Sequence, residues 1–263
     1  IVSGYLRDSA GTGLPDLDLE FYFDGMYVGN FTTQNLGLYS FDFLVPKDTS
    51  LGSHRISVFF QGSNFYVESD NSQDSDILAS TDFNFLDIEV FRNQEFLLKS
   101  NLIDDLGNPM FNQHINLTFN GKKYHLITDA DGLVQQNITL PSNFKLGNYV
   151  AKWDYSGFEY YLPSNNQQNI RVLASTNIVL FSDSEVIVGE TFTFNGTLND
   201  DMGNPLKATL SFSFGGSLIE TIESNSNGYF ENTYLVPNES IAGPNTIVIT
   251  YVPDEFYLSS TSS

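Results

Sequence analysis

The sequence predicts an all-β protein made of three tandem antiparallel β-sandwiches in a rod-like array, and two patterns lead to this prediction. A segment of about 96 residues recurs three times along the chain, as in arrays of similar small domains. Within each repeat, apolar and polar residues alternate over short runs that clusters of Gly, Pro and Asn separate. Helical periodicity is absent.

The clearest landmark of the repeat is a tail motif: an aromatic residue, then Gly or Pro two residues later, then Tyr-x-x-Ser. It stands at 60–69, 155–164 and 251–260. The tetrapeptide Leu-Ala-Ser-Thr at 78–81 returns unchanged at 173–176. Because these landmarks keep one spacing, we take them as the borders of three homologous units.

The borders define a first unit (1–77), a second unit (78–172) and a third unit (173–263). Each is long enough to bury its own core. The linkers between units contain no flexible Gly/Ser run, and strand-like residues follow them at 81–85 and 176–181. We therefore expect each linker to pass directly into the first strand of the next unit, which favours a semi-rigid rod.

Matching strands recur in every unit, with every second residue facing a core. In the best-defined strand these are Leu19, Phe21 and Phe23, repeated as Ile115, Leu117 and Phe119 and as Leu210, Phe212 and Phe214. After a glycine turn they are Tyr39, Phe41, Phe43 and Val45, then Val134, Gln136, Ile138 and Leu140, then Phe230, Asn232, Tyr234 and Val236. A further strand carries Ile56, Val58 and Phe60, then Ala151, Trp153 and Tyr155, then Ile247, Ile249 and Tyr251. We predict that Trp153 is buried beside Leu117 and Ile138.

The net charge of −21 and the pI near 4.1 argue against nucleic acid as a partner, because phosphate binding needs clustered Lys and Arg. An anionic membrane surface is disfavoured for the same reason. The acidity favours solubility and mutual repulsion of long polymers, with divalent-cation binding as the alternative.

The chain has no cysteine, so neither a disulfide nor a thiolate metal site is available. No apolar run of membrane-spanning length and no signal-peptide pattern are present, so we expect a mature or excised segment.

Two copies of an acidic turn motif carry a family resemblance. Asp-Asp-Leu-Gly-Asn-Pro at 104–109 and Asp-Asp-Met-Gly-Asn-Pro at 200–205, together with the tail motif, resemble the bacterial and archaeal immunoglobulin-like (Big-type) repeats of large cell-surface proteins. The resemblance covers essentially the whole chain, although the corresponding loop of the first unit, 8–15, is two residues longer. It implies immunoglobulin-like sandwiches, an extracellular location at the cell surface, and a role in adhesion or spacing.

No residue pattern indicates catalysis or an organic cofactor. The glycines occupy hairpin turns, and no Gly-rich phosphate loop is present. The three histidines, His54, His114 and His125, fall at unrelated places in the repeats, and no Ser/His/Asp arrangement stands out. Carboxylate pairs would need a cleft of the glycosidase kind, which repeated sandwiches rarely offer. We therefore expect a protein that is not an enzyme.

The metal candidates are the carboxylates of the acidic turn motif, Asp104, Asp105, Asp200 and Asp201. Calcium binds several carboxylate and carbonyl oxygens, and loops at a domain junction can supply them. The alternative is that these residues only close tight turns, as Asp, Asn, Gly and Pro commonly do.

Five Asn-x-Ser/Thr triplets are candidate glycosylation sites, a number that the abundance of Asn, Ser and Thr would give by chance. Three of them alternate with core residues and should face outward. The five are Asn30, Asn116, Asn137, Asn195 and Asn238.

The leading functional prediction is a non-catalytic structural or adhesive segment of a cell-surface protein, a stalk, coat or adhesin, that binds through exposed loops. One alternative is the subunit of an extracellular filament. Another is a carbohydrate- or ligand-binding accessory module whose candidate aromatic residues are Phe158, Tyr160, Tyr161, Phe256 and Tyr257. Expected partners are other copies of the chain, further repeats of this kind, or cell-surface glycans or proteins.

The two ends of the repeat alignment are incomplete in a complementary way. Ile1 aligns with Leu97 and Thr193, so we expect the first unit to lack the first strand and the third unit to lack the last strand of the repeat. Unpaired sheet edges invite another strand. Either the segment belongs to a longer array, or neighbouring chains share strands by β-augmentation.

Overall fold

The computed structural model describes residues 1–183, 185–240 and 243–263, and nearly all of its regular structure is β-strand. The described residues form twenty-one strands and one short 3-10 turn, Asn35–Gly37. Their buried apolar side chains form three separate clusters, within residues 19–60, 83–172 and 178–251. The all-β prediction is confirmed.

The second unit forms a two-layer sandwich of eight strands, and a single segment at its start contributes to both layers. One sheet has the order β12-β9-β7, and the other has the order β11-β10-β13-β14-β8. This is the arrangement of an immunoglobulin-like sandwich. The strands are β7 (Thr81–Asn84), β8 (Ile88–Phe91), β9 (Glu95–Asp104), β10 (His114–Phe119), β11 (Lys122–Ile127), β12 (Leu133–Thr139), β13 (Gly147–Tyr155) and β14 (Ser164–Leu173).

One strand pair departs from the antiparallel prediction. β7 pairs antiparallel with β9, but β8 runs parallel to β14. The chain changes sheets between β7 and β8, and a buried Gln168 holds the crossing in place. The Gln168 side chain donates to the Leu86 carbonyl at 2.6 Å and accepts from the Trp153 indole Nε1 at 3.2 Å. A buried amide with both groups paired fixes the path of the chain, because losing either partner would leave a buried polar group unsatisfied.

The core of the second unit confirms the prediction for Trp153. Its side chain is fully buried, lies opposite Leu117 on the neighbouring strand and shares a core cluster with Ile138. Phe83 of β7 is near the indole ring, with ring centroids 6.2 Å apart. Residues 81–91, at the start of the second unit, therefore supply part of that unit's own core.

The first unit has six strands in two sheets, β1-β4 and β3-β2-β5-β6. The strand predicted to continue to Val45 ends at Phe41, and this part of the prediction is wrong. Phe43 leaves the strand ladder and packs instead against the rings of Phe21 and Phe23, at centroid distances of 5.3 and 5.0 Å. The strands are β1 (Val2–Tyr5), β2 (Asp18–Phe23), β3 (Met26–Thr32), β4 (Leu38–Phe41), β5 (Gly52–Phe60) and β6 (Ser69–Ile77).

The third unit repeats the plan with sheets β15-β16-β19 and β18-β17-β20-β21. Its core is rich in Phe, and the Phe194 and Phe212 rings lie 4.4 Å apart across the two sheets. The strands are β15 (Thr176–Ser182), β16 (Thr191–Asp200), β17 (Thr209–Phe214), β18 (Ser217–Glu223), β19 (Tyr229–Leu235), β20 (Ile247–Tyr251) and β21 (Ser260–Ser262).

Candidate functional site

The acidic turn motif, the strongest metal candidate in the sequence, closes its own loop in the second unit. Asp104 ends β9, and its Oδ1 accepts the backbone N–H groups of Leu106 at 3.0 Å and Asn108 at 2.8 Å. Its Oδ2 accepts the side-chain amide of Asn108 at 3.0 Å. Both oxygens of this carboxylate therefore serve the turn, as short polar side chains commonly do. The neighbouring Asp105 is exposed.

The copy of the motif in the third unit has the same internal geometry. Asp200 Oδ1 accepts from Met202 N at 2.9 Å and Asn204 N at 2.8 Å, and Asp200 Oδ2 accepts from Asn204 Nδ2 at 3.0 Å. Asp200, however, is buried, with 5% of its surface exposed. The same turn therefore stands in two different electrostatic settings.

The difference is Arg92, which follows β8 of the second unit and reaches across to the third. Its Nη2 donates to Asp200 Oδ2 at 2.6 Å and also to Asp201, while its Nε donates to both oxygens of Asp201 at 2.9 and 3.0 Å. The Arg92 side chain is 8% exposed, and those of Asp200 and Asp201 are 3% and 18% exposed. Two carboxylates thus hold one guanidinium in a largely buried cluster, which we name the Arg92 clamp.

The charges of the Arg92 clamp stabilise one another. The hydrogen bond to Asp201 is the main cause that raises the pKa of Arg92, against the opposing effect of burial. Burial alone would raise the pKa of Asp200, but the hydrogen bonds from Asn204 and Arg92 outweigh it, and the pKa lies below its usual value. Removing one partner of such a buried pair leaves an uncompensated charge, which typically costs about 3–5 kcal/mol.

The structure places the four predicted metal ligands in two separate loops. Asp200 and Asp201 lie together, but a guanidinium already neutralises them. Asp104 and Asp105 adjoin each other at the start of the second unit's loop. Among the described residues, no group of three or more His, Asp or Glu side chains is placed to share a metal ion. Calcium binding at Asp104, Asp105, Asp200 and Asp201 stays a prediction.

The linkers are docked onto the units that follow them, and this docking uses the tail motif. Ala79 N donates to the Tyr160 carbonyl at 3.0 Å, and Leu162 N donates to the Ala79 carbonyl at 2.9 Å. The Thr81 hydroxyl lies 2.9 Å from the Leu162 carbonyl and 2.7 Å from Ser164 Oγ. The Ser of Tyr-x-x-Ser and the Thr of Leu-Ala-Ser-Thr are therefore direct partners.

The third unit repeats these contacts. Ala174 N donates to the Phe256 carbonyl at 3.1 Å, and Leu258 N donates to the Ala174 carbonyl at 2.9 Å. Thr176 Oγ1 lies 2.9 Å from the Leu258 carbonyl and 2.7 Å from Ser260 Oγ. The two landmarks of the sequence repeat are thus the two halves of one docking contact.

The five candidate glycosylation residues lie at different depths. Asn30, Asn137 and Asn238 are exposed, whereas Asn116 and Asn195 are half-buried on strands with neighbours on both sides. The Asn116 side-chain oxygen lies 2.6 Å from Nδ1 of His125. Attachment of a glycan stays a prediction at all five, and the exposed three are the more accessible.

The aromatic residues considered for sugar binding are divided between structural contacts and solvent. Tyr161 and Tyr257 pack against the cores of their units. The Arg171 guanidinium carbon Cζ lies 5.7 Å from the centroid of the Phe256 ring. Phe158 is 59% exposed and Tyr160 is 36% exposed.

Sequence reasoning did not single out Arg92, nor the contact between His54 and Asp24. His54 Nδ1 lies 2.6 Å from Asp24 Oδ2, and its Nε2 lies 2.7 Å from the Ser50 carbonyl. The hydrogen bond with Asp24 is the main cause that raises the pKa of His54. For Arg92, one signal was available in the sequence. Arg is rare in this acidic chain, and a cation surrounded by carboxylates is a candidate for an ion pair.

Structural comparison gives low-identity matches that include two adhesins and one set of extracellular domains. A structure from a 1.5-MDa bacterial ice-binding adhesin is 12% identical, with 93% of this chain and 83% of that chain covered and a TM-score of 0.31. The Escherichia coli adhesin FdeC is 16% identical, with coverage of 90% and 82% and a TM-score of 0.37. Extracellular domains 3–5 of Drosophila OTK are 11% identical, with coverage of 99% and 89% and a TM-score of 0.39. At such TM-scores the matches carry no functional argument, and the fold assignment rests on the strand pairing described above.

No family model and no curated protein matches the chain. Within the described ranges, no helix has the length and apolar character needed to cross a bilayer.

Proposed function

We propose that this chain is a non-catalytic structural or adhesive segment of an extracellular cell-surface protein, in which docked β-sandwiches set the distance and direction between the modules at either end. The observation that carries the proposal is the docking of the linkers. Both Leu-Ala-Ser-Thr segments bind the unit that follows through the same backbone and hydroxyl hydrogen bonds. Because β6 ends at Ile77 and β14 ends at Leu173, at most one residue separates the last strand of one unit from the docked Ala of the next, which leaves no length for a free hinge.

The Arg92 clamp supports the same function at the second junction. It joins residues of the second and third units through largely buried charge-assisted hydrogen bonds, which are shorter and stronger than neutral ones. Arg171 adds a contact to the Glu255 carbonyl across the same junction. A segment that spaces or presents other modules needs junctions of this kind, which fix direction as well as distance.

The surface charge also supports a position at the cell surface, where many copies of the chain would lie close together. A net charge of −21 on 263 residues makes neighbouring chains repel one another and keeps them soluble. We expect contacts with other proteins or glycans to involve loops at the ends of the units, where sequence can vary without loss of the core.

Small-angle X-ray scattering tests the spacing role directly. A compact globule of 263 residues would have a radius of gyration of about 18 Å. Docked units in a row should give a value close to twice that, and replacing 78–81 by Gly-Ser-Gly-Ser should broaden the distance distribution while leaving the strand content unchanged. A radius near that of a compact globule would contradict the proposal. Antibody labelling of intact source cells tests the location, and labelling only after lysis would contradict it.

A further inference from the structure

Two adjoining cavities lie on the second unit, one at the end of its five-stranded sheet and one on the outer face of that sheet, and Asn116 lines both. Their volumes are about 320 and 520 Å3, within the usual range for small-ligand sites. We propose that together they form a binding site for an acidic oligosaccharide, a glycan whose sugar rings carry carboxylates. The inference rests on the proposed function, because it names a ligand for the adhesive role.

The first cavity, which we name the aromatic cavity, has two phenylalanine rings at its border. Phe111 is 64% exposed and Phe158 is 59% exposed. An aromatic ring offers a flat apolar surface on which the C–H face of a sugar ring can stack. Two such rings on neighbouring loops can therefore hold a sugar at the end of the sheet.

Hydrogen bonds fix the loops that carry both rings. The Gln113 side chain donates to the Phe111 carbonyl at 3.0 Å and accepts from the Tyr155 hydroxyl at 2.8 Å. Phe158 exchanges two backbone hydrogen bonds with Tyr161, at 3.2 and 3.0 Å. Because the loops are already ordered, a ligand would bind there with little further loss of conformational entropy.

Polar side chains with unused hydrogen-bonding capacity line the aromatic cavity. Within the described ranges, the side chains of Asn112, His114 and Ser156 have no hydrogen-bond partner in the chain. Amide, imidazole and hydroxyl groups can each donate and accept, which suits the hydroxyl groups of a sugar. Apolar rings beside such groups match an oligosaccharide, whose surface combines C–H faces with hydroxyl groups.

The second cavity, which we name the cationic cavity, lies where the strand register aligns outward-facing side chains in two rows. The first row is Lys123, Thr118, Lys152 and Gln167, and the second row is His125, Asn116, Asp154 and Asn165. Neighbouring strands are about 4.8 Å apart, so the Cα atoms of Lys123 and Lys152 lie about 10 Å apart, on either side of Thr118. Among the described residues, neither lysine forms an ion pair. The Asp154 carboxylate belongs to the second row, so the first row is the place for a carboxylate of the ligand.

The two ammonium groups favour an acidic ligand over a neutral one. The chain has a net charge of −21 and only eleven Lys and Arg residues, so two uncompensated ammonium groups side by side depart from the rest of the surface. A carboxylate placed over Thr118 would be attracted by both lysines. The amides and hydroxyls around the lysines favour a ligand that is rich in hydroxyl groups, and an acidic peptide lacks this property.

The third unit has a cavity of the same volume at the equivalent place, but without these features. This cavity is also about 320 Å3, and its loops contribute Lys207 and Asp254 where those of the second unit contribute Phe111 and Phe158. Its outer face has small hydroxyl-bearing residues instead of lysines, namely Ser211, Thr221 and Thr250. The sandwich therefore folds without exposed rings and lysines at these positions, which supports ligand binding as their role in the second unit.

Asn116 cannot both line this site and carry a glycan. It lies between the two cavities and begins the Asn-Leu-Thr triplet at 116–118. Its side-chain oxygen lies 2.6 Å from Nδ1 of His125, which leaves the Nδ2 amide group to donate to a ligand. A glycan attached to Nδ2 would cover both cavities, so we expect Asn116 to be unmodified in the native chain.

Binding of the full chain to an array of immobilised oligosaccharides tests the class of ligand. The array carries oligosaccharides with uronic or sialic acids beside neutral ones. We expect binding to the carboxylate-bearing members, and calorimetry with the best of them in solution should show saturable binding of one molecule per chain. Reduction of its carboxylates to primary alcohols should weaken binding about fivefold at low salt, the upper end of what an exposed charge pair contributes.

Two chain variants and two matched controls make the test specific to the site. Phe158→Ala removes a stacking surface and should weaken binding of both the acidic and the reduced oligosaccharide about tenfold. Lys152→Gln removes an ammonium group and should weaken binding of the acidic form alone, about fivefold. The controls are Phe181→Ala, at an exposed ring of the third unit, and Lys99→Gln, at an exposed lysine on the other sheet of the second unit. Both controls should leave the affinity unchanged.

Four results would overturn the inference. The first is the absence of binding to any carboxylate-bearing oligosaccharide at millimolar concentration, and the second is an equal effect of Lys152→Gln and Lys99→Gln. The third is equal affinity for a peptide of ten glutamates, because the site would then recognise charge alone and its partner would be an acidic protein. The fourth is a glycan on Asn116 of the chain from its native source, detected by mass spectrometry. None of these results affects the spacing role, which the scattering experiment tests separately.

Discussion

The loops that begin at Asp104 and at Asp200 have nearly the same sequence and the same internal hydrogen bonds, yet they differ in electrostatic environment. Each first Asp closes its turn by accepting from the backbone two and four residues later. Within the part of the chain that the structure describes, only the second loop meets a cation, because Arg92 reaches it from the preceding unit. Local sequence therefore determines the turn, and a residue about a hundred positions away determines whether its charge is compensated.

The two loops also differ in the cation that the acidic motif contacts. The sequence suggested a cation at the junction, and at the second junction a cation is present, but it is a guanidinium of the chain itself. Its fork geometry suits two carboxylates better than a point charge would.

The largest effect is expected from Arg92→Met, which keeps most of the side-chain length and removes the charge. Asp200 is then left buried beside Asp201 without its partner, and the third unit should lose about 3–5 kcal/mol of its free energy of unfolding. Hydrogen exchange of β16 and β17 during urea titration measures this loss. The control is Arg55→Met, which breaks the exposed pair with Asp74 and should cost less than about 1 kcal/mol. Equal losses for the two variants would show that the Arg92 clamp does not stabilise the junction.

The next effect compares the first and second units through equivalent glutamines. Gln168→Ala leaves the buried Trp153 indole N–H without its acceptor and should cost about 1–3 kcal/mol, the usual cost of one unsatisfied buried group, whereas the Leu86 carbonyl belongs to an exposed residue. Trp153 fluorescence during denaturation reports the loss. Gln73→Ala, at the exposed counterpart in the first unit, should change stability by less than about 0.5 kcal/mol. A similar cost at both positions would show that Gln168 does not hold in place the segment between β7 and β8, where the chain changes sheets.

Calcium distinguishes the two loops from each other. If the motif binds calcium, the ion should stabilise only the second unit, by about 2.7 kcal/mol at a concentration one hundred times the Kd, because Arg92 already compensates the loop of the third unit. Calorimetric melting with calcium and with chelator measures the effect, and the double substitution Asp104→Asn and Asp105→Asn should abolish it. Identical melting curves with calcium and with chelator would leave the turn as the only role of these carboxylates.

The smallest effect concerns pH and the first unit. The raised pKa of His54 means that its interaction with Asp24 stabilises the folded state fully below the unfolded pKa of about 6.5, and this contribution is lost as pH rises through the folded pKa. The lowered pKa of Asp24, caused first by its hydrogen bond with His54, acts in the opposite direction and loses its contribution as pH falls through the folded value. We expect the first unit to be less stable at pH 9 than at pH 6, as followed by exchange of β2 and β5. A His54→Gln variant that keeps the same pH dependence would show that other groups cause it.

The repeat, most strand positions and the turns follow from local sequence alone, because they depend on neighbouring residues. Alternation places Leu117 and Trp153 in a core whichever fold is chosen, and Asp104 can close its turn without help from elsewhere. The same reasoning placed Phe43 in the core correctly but overestimated the length of its strand, because β4 ends at Phe41 while Phe43 still packs against Phe21.

The contacts between distant residues depend on how the strands and units are packed together. The parallel pairing of β8, the burial of Gln168, the contact of His54 with Asp24 and the Arg92 clamp all join residues far apart in the chain. Nothing in the local pattern around Arg92 distinguishes a solvated side chain from one held by two carboxylates. Its role depends on the placement of one unit against the next, because that placement removes water from the charges and makes their pairing strong.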